Sequence, residues 1–411
     1  MLSDLLERAN LAQVRGDRSR QTEQVLLADF LAVVSGAGAT AGPRGWANDG
    51  TAGAAAALAD RAHAADREDI HWPTSVHPGA IVWPVVLALG SEAGASGDRT
   101  AEAARIGYQC MIDFASLLGP VHARTWHATA TSGVLGAAVA AGTVLQLSSQ
   151  QLRWACGHAV SVAGGVGQAV IERSGTTRFH RVAAAVVGIQ AARQAAAGVT
   201  SSTAVLEGQR GVLINLAPGA RVPAPPAGGA ALDDTSVRLF PVNGFAQSAV
   251  ALTAELRRTS PGVALGLAVE VSGDTADATT GLVGGTWWDL RAAVAAAWIN
   301  GDPFDLEPTA DSDALRKVTR VIPAPLPNGA ANVTVTTDRG TVNSQIEAPF
   351  GRSVLDPTVR PLLKRKWQQL WNRPSGGDEV WRWASEVLAR GPRPDDLSLL
   401  LDRPPSATGA R

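Results

Sequence analysis

The spacing of hydrophobic residues in this chain of 411 residues is helical over most of its length and becomes mixed in one stretch. The first clear helix is predicted for Gln21 to Val34, where apolar residues recur every three or four positions. Further Ala-rich helices are predicted around Asp60 and over 82–89, 100–118, 132–147, 149–162 and 181–197. Because Ala and Gly let helices approach closely, this part of the chain predicts one packed helical domain.

The helical pattern stops at a stretch of Pro, Gly and Ala without periodicity, Asn215 to Asp234, which predicts a linker or an insertion point. Beyond it the pattern becomes mixed, as in an α+β module. Helices are predicted for 246–256, 290–300 and 313–321, and strands for 263–271, 331–337 and 340–347. Amphipathic helices return at 359–371 and 379–390, so we expect the C-terminal segment to pack on the first domain.

Composition and charge narrow the classes of function. Lys and Arg number 36 against 37 Asp and Glu, without a basic stripe, so we expect no nucleic-acid partner. Cys110 and Cys156 lie in apolar helical patterns and are predicted to be buried thiols in a reducing compartment. The N-terminus lacks the apolar core of a signal peptide, and the most apolar stretch, 133–145, is too short to cross a bilayer. We therefore expect a cytoplasmic protein without a membrane partner.

All seven histidines fall between His63 and His180, which places the candidate acid–base chemistry in that interval. The segment Asp66 to Gly79 (DREDIHWPTSVHPG) contains His71, His77 and three carboxylates in a Pro-rich loop before a helix. The alternative is that this loop only starts the helix, with His77 satisfying backbone amides.

Two further segments contain candidate site residues. In Gly119 to Gly133, His122 and His127 precede a Thr/Ser cluster that we expect to cap a helix starting at Gly133, whose positive end would favour an anion. In Glu172 to Arg181, three arginines accompany His180, as in a carboxylate cradle. The alternatives are core or capping histidines and a solvated basic loop.

Metal and cofactor signals are weak. The histidine pairs are not at the i, i+4 spacing of a helical zinc site, and we predict no other ligand cluster. The run Gly164 to Gly167 lacks the preceding strand and the downstream acid of a dinucleotide site. The sequence therefore predicts neither a metal nor a cofactor.

Taken together, these motifs resemble the MmgE/PrpD family, which includes 2-methylcitrate dehydratases, cis-aconitate decarboxylase and iminodisuccinate epimerase. The resemblance covers nearly the whole chain. It rests on the HPG loop 66–79, RTWH at 124–127 running into TSGVLGAA at 131–138, TRFH at 177–180, LEGQRG at 206–211, RLFP at 238–241 and WDLR at 288–291.

The resemblance implies a mainly α fold: a large all-helical domain, residues 1–234 and 352–411, and a smaller α+β lid domain, residues 235–351. It also implies a cofactor-free homodimer with its active site in the cleft between the domains. Matched position by position, Asp66, His77 and His127 correspond to the family's site acid and histidines. Substrate binding is predicted for His71, Arg124, Arg178, His180 and Arg238.

The chain also departs from the family pattern. Two usual lysines fall on Thr177 and Arg238, a later histidine on Gln247 and a lid tyrosine on Ala292. An arginine replaces a lysine as a carboxylate anchor but not as a base, because a guanidinium hardly deprotonates.

Two functions therefore stay open. The first is a cofactor-free lyase or isomerase that moves a proton α to a carboxylate, with His77 and His127 as the acid–base pair and Asp66 orienting one imidazole. Dehydration, decarboxylation and epimerisation are all compatible with it. The second is a catalytically altered or inactive member that serves as a binding or structural dimer, because Thr177 and Ala292 replace functional side chains.

Overall fold

A computed structural model describes residues 1–11, 17–37, 50–64, 66–172, 174–219, 231–279, 288–371 and 375–401. Most of the predicted linker, residues 220–230, lies outside these ranges, as does Arg173. The chain divides into two compact units. Unit 1 comprises Met1–Thr235 and Ser353–Arg411, and unit 2 comprises Ser236–Arg352.

Unit 1 is built of helices, which confirms the mainly α fold. They are α1 Leu2–Leu11, α2 Asp17–Ala37, α3 Gly50–Ala64, α4 Gly79–Ala93, α5 Gly97–Thr125, α6 Ala128–Val144, α7 Ser149–Ser161, α8 Gln168–Ile171, α9 Thr176–Ala196 and α10 Val212–Leu216. One short strand, β1 Asp69–His71, precedes α4. Cys110 and Cys156 are both buried and not disulfide-bonded, as predicted.

Helix α6 occupies the centre of unit 1, where its small residues let the neighbouring helices pack closely against it. All but two of its residues are buried. A Cβ at Gly188 of α9 would lie 2.3 Å from Cβ of Ala137, and one at Gly136 would lie 2.7 Å from Cβ of Met111. Both glycines thus permit helix contacts closer than a side chain allows, and an alanine at either would force the helices apart.

The C-terminal helices belong to unit 1. They are α15 Val359–Trp371, α16 Gly376–Arg390 and α17 Pro394–Leu401. Lys366 of α15, fully buried, donates to Asp29 of α2 at 2.7 Å and to the carbonyl of Arg67 at 2.8 Å. Arg61 of α3 donates to the carbonyls of Leu400 and Leu401. The end of the chain is therefore tied to its beginning by buried polar contacts.

Unit 2 combines a four-stranded sheet with helices. Its elements, starting with a strand that begins at the last residue of unit 1, are β2 Thr235–Val237, α11 Gln247–Thr259, β3 Ala264–Val271, α12 Gly273–Thr279, α13 Leu290–Asn300, α14 Ala310–Lys317, β4 Thr319–Pro323, β5 Ala331–Thr337 and β6 Gly340–Ile346. The strand order is β4-β3-β5-β6, with β4 parallel to β3 and the other pairs antiparallel.

The predicted end of one helix in unit 2 was wrong. The helix expected over 313–321 ends at Lys317, and strand β4 follows directly. The residues after Lys317 include the β-branched Val318, Thr319, Val321 and Ile322, which favour an extended strand. In the described part of the chain, every helix is too short or too polar to span a bilayer.

Candidate functional site

The loop before α4 is organised by Asp69, a fully buried carboxyl at the start of β1. Its oxygens accept hydrogen bonds from the Gly79 amide at 3.0 Å and from the Tyr108 hydroxyl at 2.6 Å. Glycine is required at position 79, because a Cβ there would lie 2.5 Å from the Tyr108 oxygen and 2.6 Å from Asp69 Oδ2. Asp69 thus caps α4 and holds the HPG turn.

Burial raises the pKa of Asp69 to about 7, against the opposing effect of its two hydrogen bonds, which favour the charged form. A carboxyl with a raised pKa keeps a proton in the folded state that the unfolded chain has released. Between pH 4 and 7 the native protein therefore binds more protons than the unfolded chain, and this group makes stability fall as pH rises.

We expect Asp69→Asn to remove this pH dependence. A shift from 3.8 to about 7 corresponds to a loss of about 4 kcal/mol of stability between pH 4 and 7. Urea midpoints of the parent and the variant at pH 5.0, 6.0 and 7.5 measure the effect, with Asp98→Asn on the surface of α5 as a control. A pH slope that is the same in parent and Asp69→Asn would contradict the prediction.

His77 is oriented by the backbone of the same strand. Its Nδ1 lies 2.7 Å from the carbonyl oxygen of Asp69. A carbonyl only accepts hydrogen bonds, so Nδ1 must carry the proton. In the neutral ring Nε2 is then the nitrogen with a lone pair, which is the form that accepts a proton from a substrate.

His127 forms a pair with His180. The Nδ1 atoms of the two rings are 3.2 Å apart, and the ring centroids are 5.4 Å apart. His127 is buried at the N-cap of α6, whereas His180, the fifth residue of α9, is partly exposed. Gly165 supports the pair: its carbonyl accepts from the His127 amide at 2.7 Å, and its φ of +116° favours glycine.

The expected Thr/Ser cap of this helix was wrong. Helix α6 begins at Ala128, five residues before Gly133, and no side chain caps it. The Ala and Thr residues 128–131 continue the helix, so the hydroxyls lie inside it. Thr131 donates to the carbonyl of Gly164 and Ser132 to that of Ala128.

A third group lies between α3 and α9. Arg181 donates to Glu68 Oε1 at 2.7 Å and also contacts Nδ1 of His63. Nε2 of His63 is 3.4 Å from the Thr177 hydroxyl. Nδ1 of His63 also lies 3.4 Å from Glu68 Oε1, so this nitrogen faces both a guanidinium, which only donates, and a carboxylate, which only accepts.

Burial lowers the pKa of His127, His63 and His180 below the usual range, and the charge of Arg181 lowers it further in each. For His127 the neighbouring rings of His180, His63 and His77 add to the effect. His127 is therefore influenced by the other three imidazoles, and the rings of His127, His63 and His180 are neutral at pH 7.

The group around His63 also satisfies the distance criterion for a metal site, which spacing along the chain did not indicate. Ligand atoms of His63, Asp66 and Glu68 all lie within 4.8 Å of one another. The guanidinium of Arg181 already supplies a positive charge to Glu68 and His63 in this group. The carboxylate of Glu68 and the ring of His63 therefore already have the Arg181 guanidinium as their positively charged partner, which leaves less reason for a metal ion here.

The other predicted site residues have varied surroundings. Nδ1 of His71 lies 2.8 Å from the Thr74 hydroxyl. Arg178 forms a two-pronged ion pair with Asp60, at 2.9 and 2.7 Å, so a substrate carboxylate would have to compete with Asp60. Arg124 is exposed near the end of α5, and Arg238 is buried in unit 2. His122, outside this set, contacts the Leu216 carbonyl.

The residues at the variant family positions have local structural roles. The Thr177 hydroxyl donates to the Ser174 carbonyl at 3.2 Å besides meeting His63. The Gln247 amide accepts from the Leu239 and Phe240 amides and donates to the carbonyls of Phe240 and Val242. Gln247 therefore fixes the turn after Arg238. Ala292 is buried in α13.

Sequence reasoning did not single out four residues of this region: His63, Asp69, Tyr108 and Arg181. Asp69 was visible as one of three carboxylates in the loop, but its pairing with Tyr108 joins positions 39 residues apart. Arg181 follows His180 directly, yet its contact with Glu68 spans 113 residues. Such contacts follow from helix packing and leave no local signal.

Unit 1 is thus a helical unit in which the neutral histidines His63, His127 and His180 lie near the buried Arg181. Residues 25–223 match the model of the MmgE/PrpD N-terminal domain, which supports membership of the MmgE/PrpD family. No curated protein matches the sequence significantly.

Proposed function

We propose that this protein is a lyase or isomerase that moves a proton α to a carboxylate of a small substrate. The supporting observation is the group of interacting histidines in unit 1, three of which have a pKa below the usual range. A neutral imidazole can take a weakly acidic proton, and a positioned acid or base contributes about 10²- to 10⁴-fold to rate.

In this proposal His77 is the general base. Its Nδ1 proton is committed to the Asp69 carbonyl, so Nε2 takes the α-proton and the ring becomes an imidazolium. Asp69, fixed by Gly79 and Tyr108, holds the ring in place. Asp66 belongs to the neighbouring group with His63 and Glu68, and its charge acts on His63.

His127 is the partner acid. In a dehydration its Nε2 proton would go to the departing hydroxyl, and in an epimerisation to the opposite face of the carbanion. Arg124 and His71 remain the proposed contacts for substrate carboxylates. His180 is assigned to His127 instead. Arg178 is bound to Asp60, which disfavours it in this role.

We propose a metal-independent reaction in a cytoplasmic homodimer. Arg181 provides the positive charge that a metal would otherwise bring to the His63 group. Exposed apolar side chains from the end of α7 to the start of α9 support an interface between two copies: Val162, Val166, Val170, Ile171 and Phe179. The buried, unpaired thiols Cys110 and Cys156 fit a reducing compartment.

The direct test is turnover of methylcitrate, cis-aconitate and iminodisuccinate, alongside a thermal-shift screen of di- and tricarboxylates. A ligand at about 100 times its Kd adds about 3 kcal/mol to stability whether or not it reacts. We expect stabilisation and turnover by the same compound. Stabilisation without turnover would favour the binding protein, for which the hydroxyl of Thr177 at the family's lysine position is the specific argument.

A further inference from the structure

The contact between His127 and His180 is unusual because identical nitrogens face each other. At 3.2 Å, a hydrogen bond between the two Nδ1 atoms requires one proton, carried by one ring and accepted by the other. Two protonated Nδ1 atoms would repel, and two lone pairs would leave both rings unbonded. In the neutral pair the rings must therefore be opposite tautomers, so the state of one fixes the state of the other.

We propose that His180 is a positioning residue for His127: its Nδ1–H donates to Nδ1 of His127, which keeps Nε2 of His127 protonated and ready to act as an acid. This inference rests on the proposed function for its chemistry, but not for the tautomers themselves. His180 also differs from His127 in exposure, since His180 is partly exposed and His127 is buried.

The difference in exposure gives the pair a route for replacing the donated proton. Nε2 of His180 first takes a proton from a hydronium ion of the solvent, which leaves a water molecule and makes that ring an imidazolium. As His127 releases its Nε2 proton to the substrate, the Nδ1 proton of His180 moves to Nδ1 of His127. Both rings end neutral with their tautomers exchanged, and no imidazolate forms.

Burial first, and then the charge of Arg181, lower the pKa of both rings and keep the resting pair neutral. Arg181 acts on both rings, and His63 and His77 act on His127. Glu68 is bound to Arg181 at 2.7 Å, which offsets part of the arginine's effect. Solvent therefore supplies a proton to the pair only transiently.

The tautomers are measured directly by ¹⁵N NMR of protein labelled in its histidine rings, with signals assigned through His127→Asn and His180→Asn. Free imidazole favours the Nε2–H form, so an Nδ1–H tautomer at His180 is the distinctive result. We expect it in the parent, together with an Nε2–H tautomer at His127. Equal tautomers in the two rings would overturn the proposal, with or without a known substrate.

The catalytic consequence is tested by two replacements of His180 once a substrate turns over. Leucine cannot donate, whereas the asparagine amide can donate to Nδ1 of His127. We expect His180→Leu to lower kcat about 10- to 100-fold with little change in KM, and His180→Asn to restore part of it. We also expect the acid limb of the pH profile of kcat to move in both variants. A parental kcat and pH profile in His180→Leu would overturn the proposed role.

If opposite tautomers are found but no carboxylate reacts, the proposed function fails while the pairing of the rings stands. If a carboxylate reacts but the rings have the same tautomer, this inference fails alone. The two hypotheses are therefore separable by experiment.

Discussion

His77→Ala and His127→Ala should each lower kcat by about 10²- to 10⁴-fold, the range of a positioned acid or base. The variant His77→Ala lacks the base that accepts the α-proton. The variant His127→Ala lacks the acid that completes the reaction. Each effect should appear in kcat more than in KM, because both rings act on the proton in transit. Steady-state kinetics with the substrate found in the panel measures both.

The matched control is His158→Ala on α7. Nε2 of His158 lies 3.1 Å from the backbone carbonyl oxygen of Val199, and the proposed chemistry does not use this ring. Circular dichroism and thermal unfolding establish that all three variants fold. Parental turnover in folded His77→Ala and His127→Ala would refute the assignment of the acid–base pair.

Lys366→Met should destabilise unit 1 by about 3 to 5 kcal/mol, the cost of leaving a buried charge without its partner. Lys366 is fully buried, and its ammonium lies 2.7 Å from the equally buried carboxylate of Asp29. Once the ammonium is removed, Asp29 retains the indole N–H of Trp367 at 3.0 Å. The urea midpoint of tryptophan fluorescence reports the loss.

A nearby lysine provides the comparison. Lys364 on the same helix pairs with Asp378 at 2.9 Å, but both side chains are exposed. Lys364→Met should therefore leave the urea midpoint close to the parental value. Equal midpoint shifts for the two variants would contradict the view that the C-terminal helices are held by a buried ion pair.

The helical elements of unit 1 were predictable because their periodic pattern is local. The strand after Lys317 was missed since a polar, charged helix runs directly into β-branched residues, and the spacing of apolar positions does not mark the change. Thr and Ser at 129–132 predict a cap before Gly133, but α6 begins at Ala128 because the Ala-rich context continues the helix through them.

The candidate site was less predictable than the fold. The loop at 66–79 and the histidines at 127 and 180 were visible as motifs, yet the sequence does not show which ring contacts which. The pairing of His127 with His180 depends on packing of α6 against α9, and Arg181 reaches Glu68 only because α9 also packs on α3. The ion pair between Arg178 of α9 and Asp60 of α3 likewise depends on the packing of these two helices.

The most direct test of the account is exchange of the α-proton of a bound carboxylate in D₂O, followed by mass spectrometry. The parent protein and His158→Ala should incorporate deuterium at the carbon next to the carboxylate, and folded His77→Ala should not, since Nε2 of His77 is the proposed proton acceptor. Incorporation at the parental rate in His77→Ala, or none in the parent with any di- or tricarboxylate that stabilises it, would contradict the account.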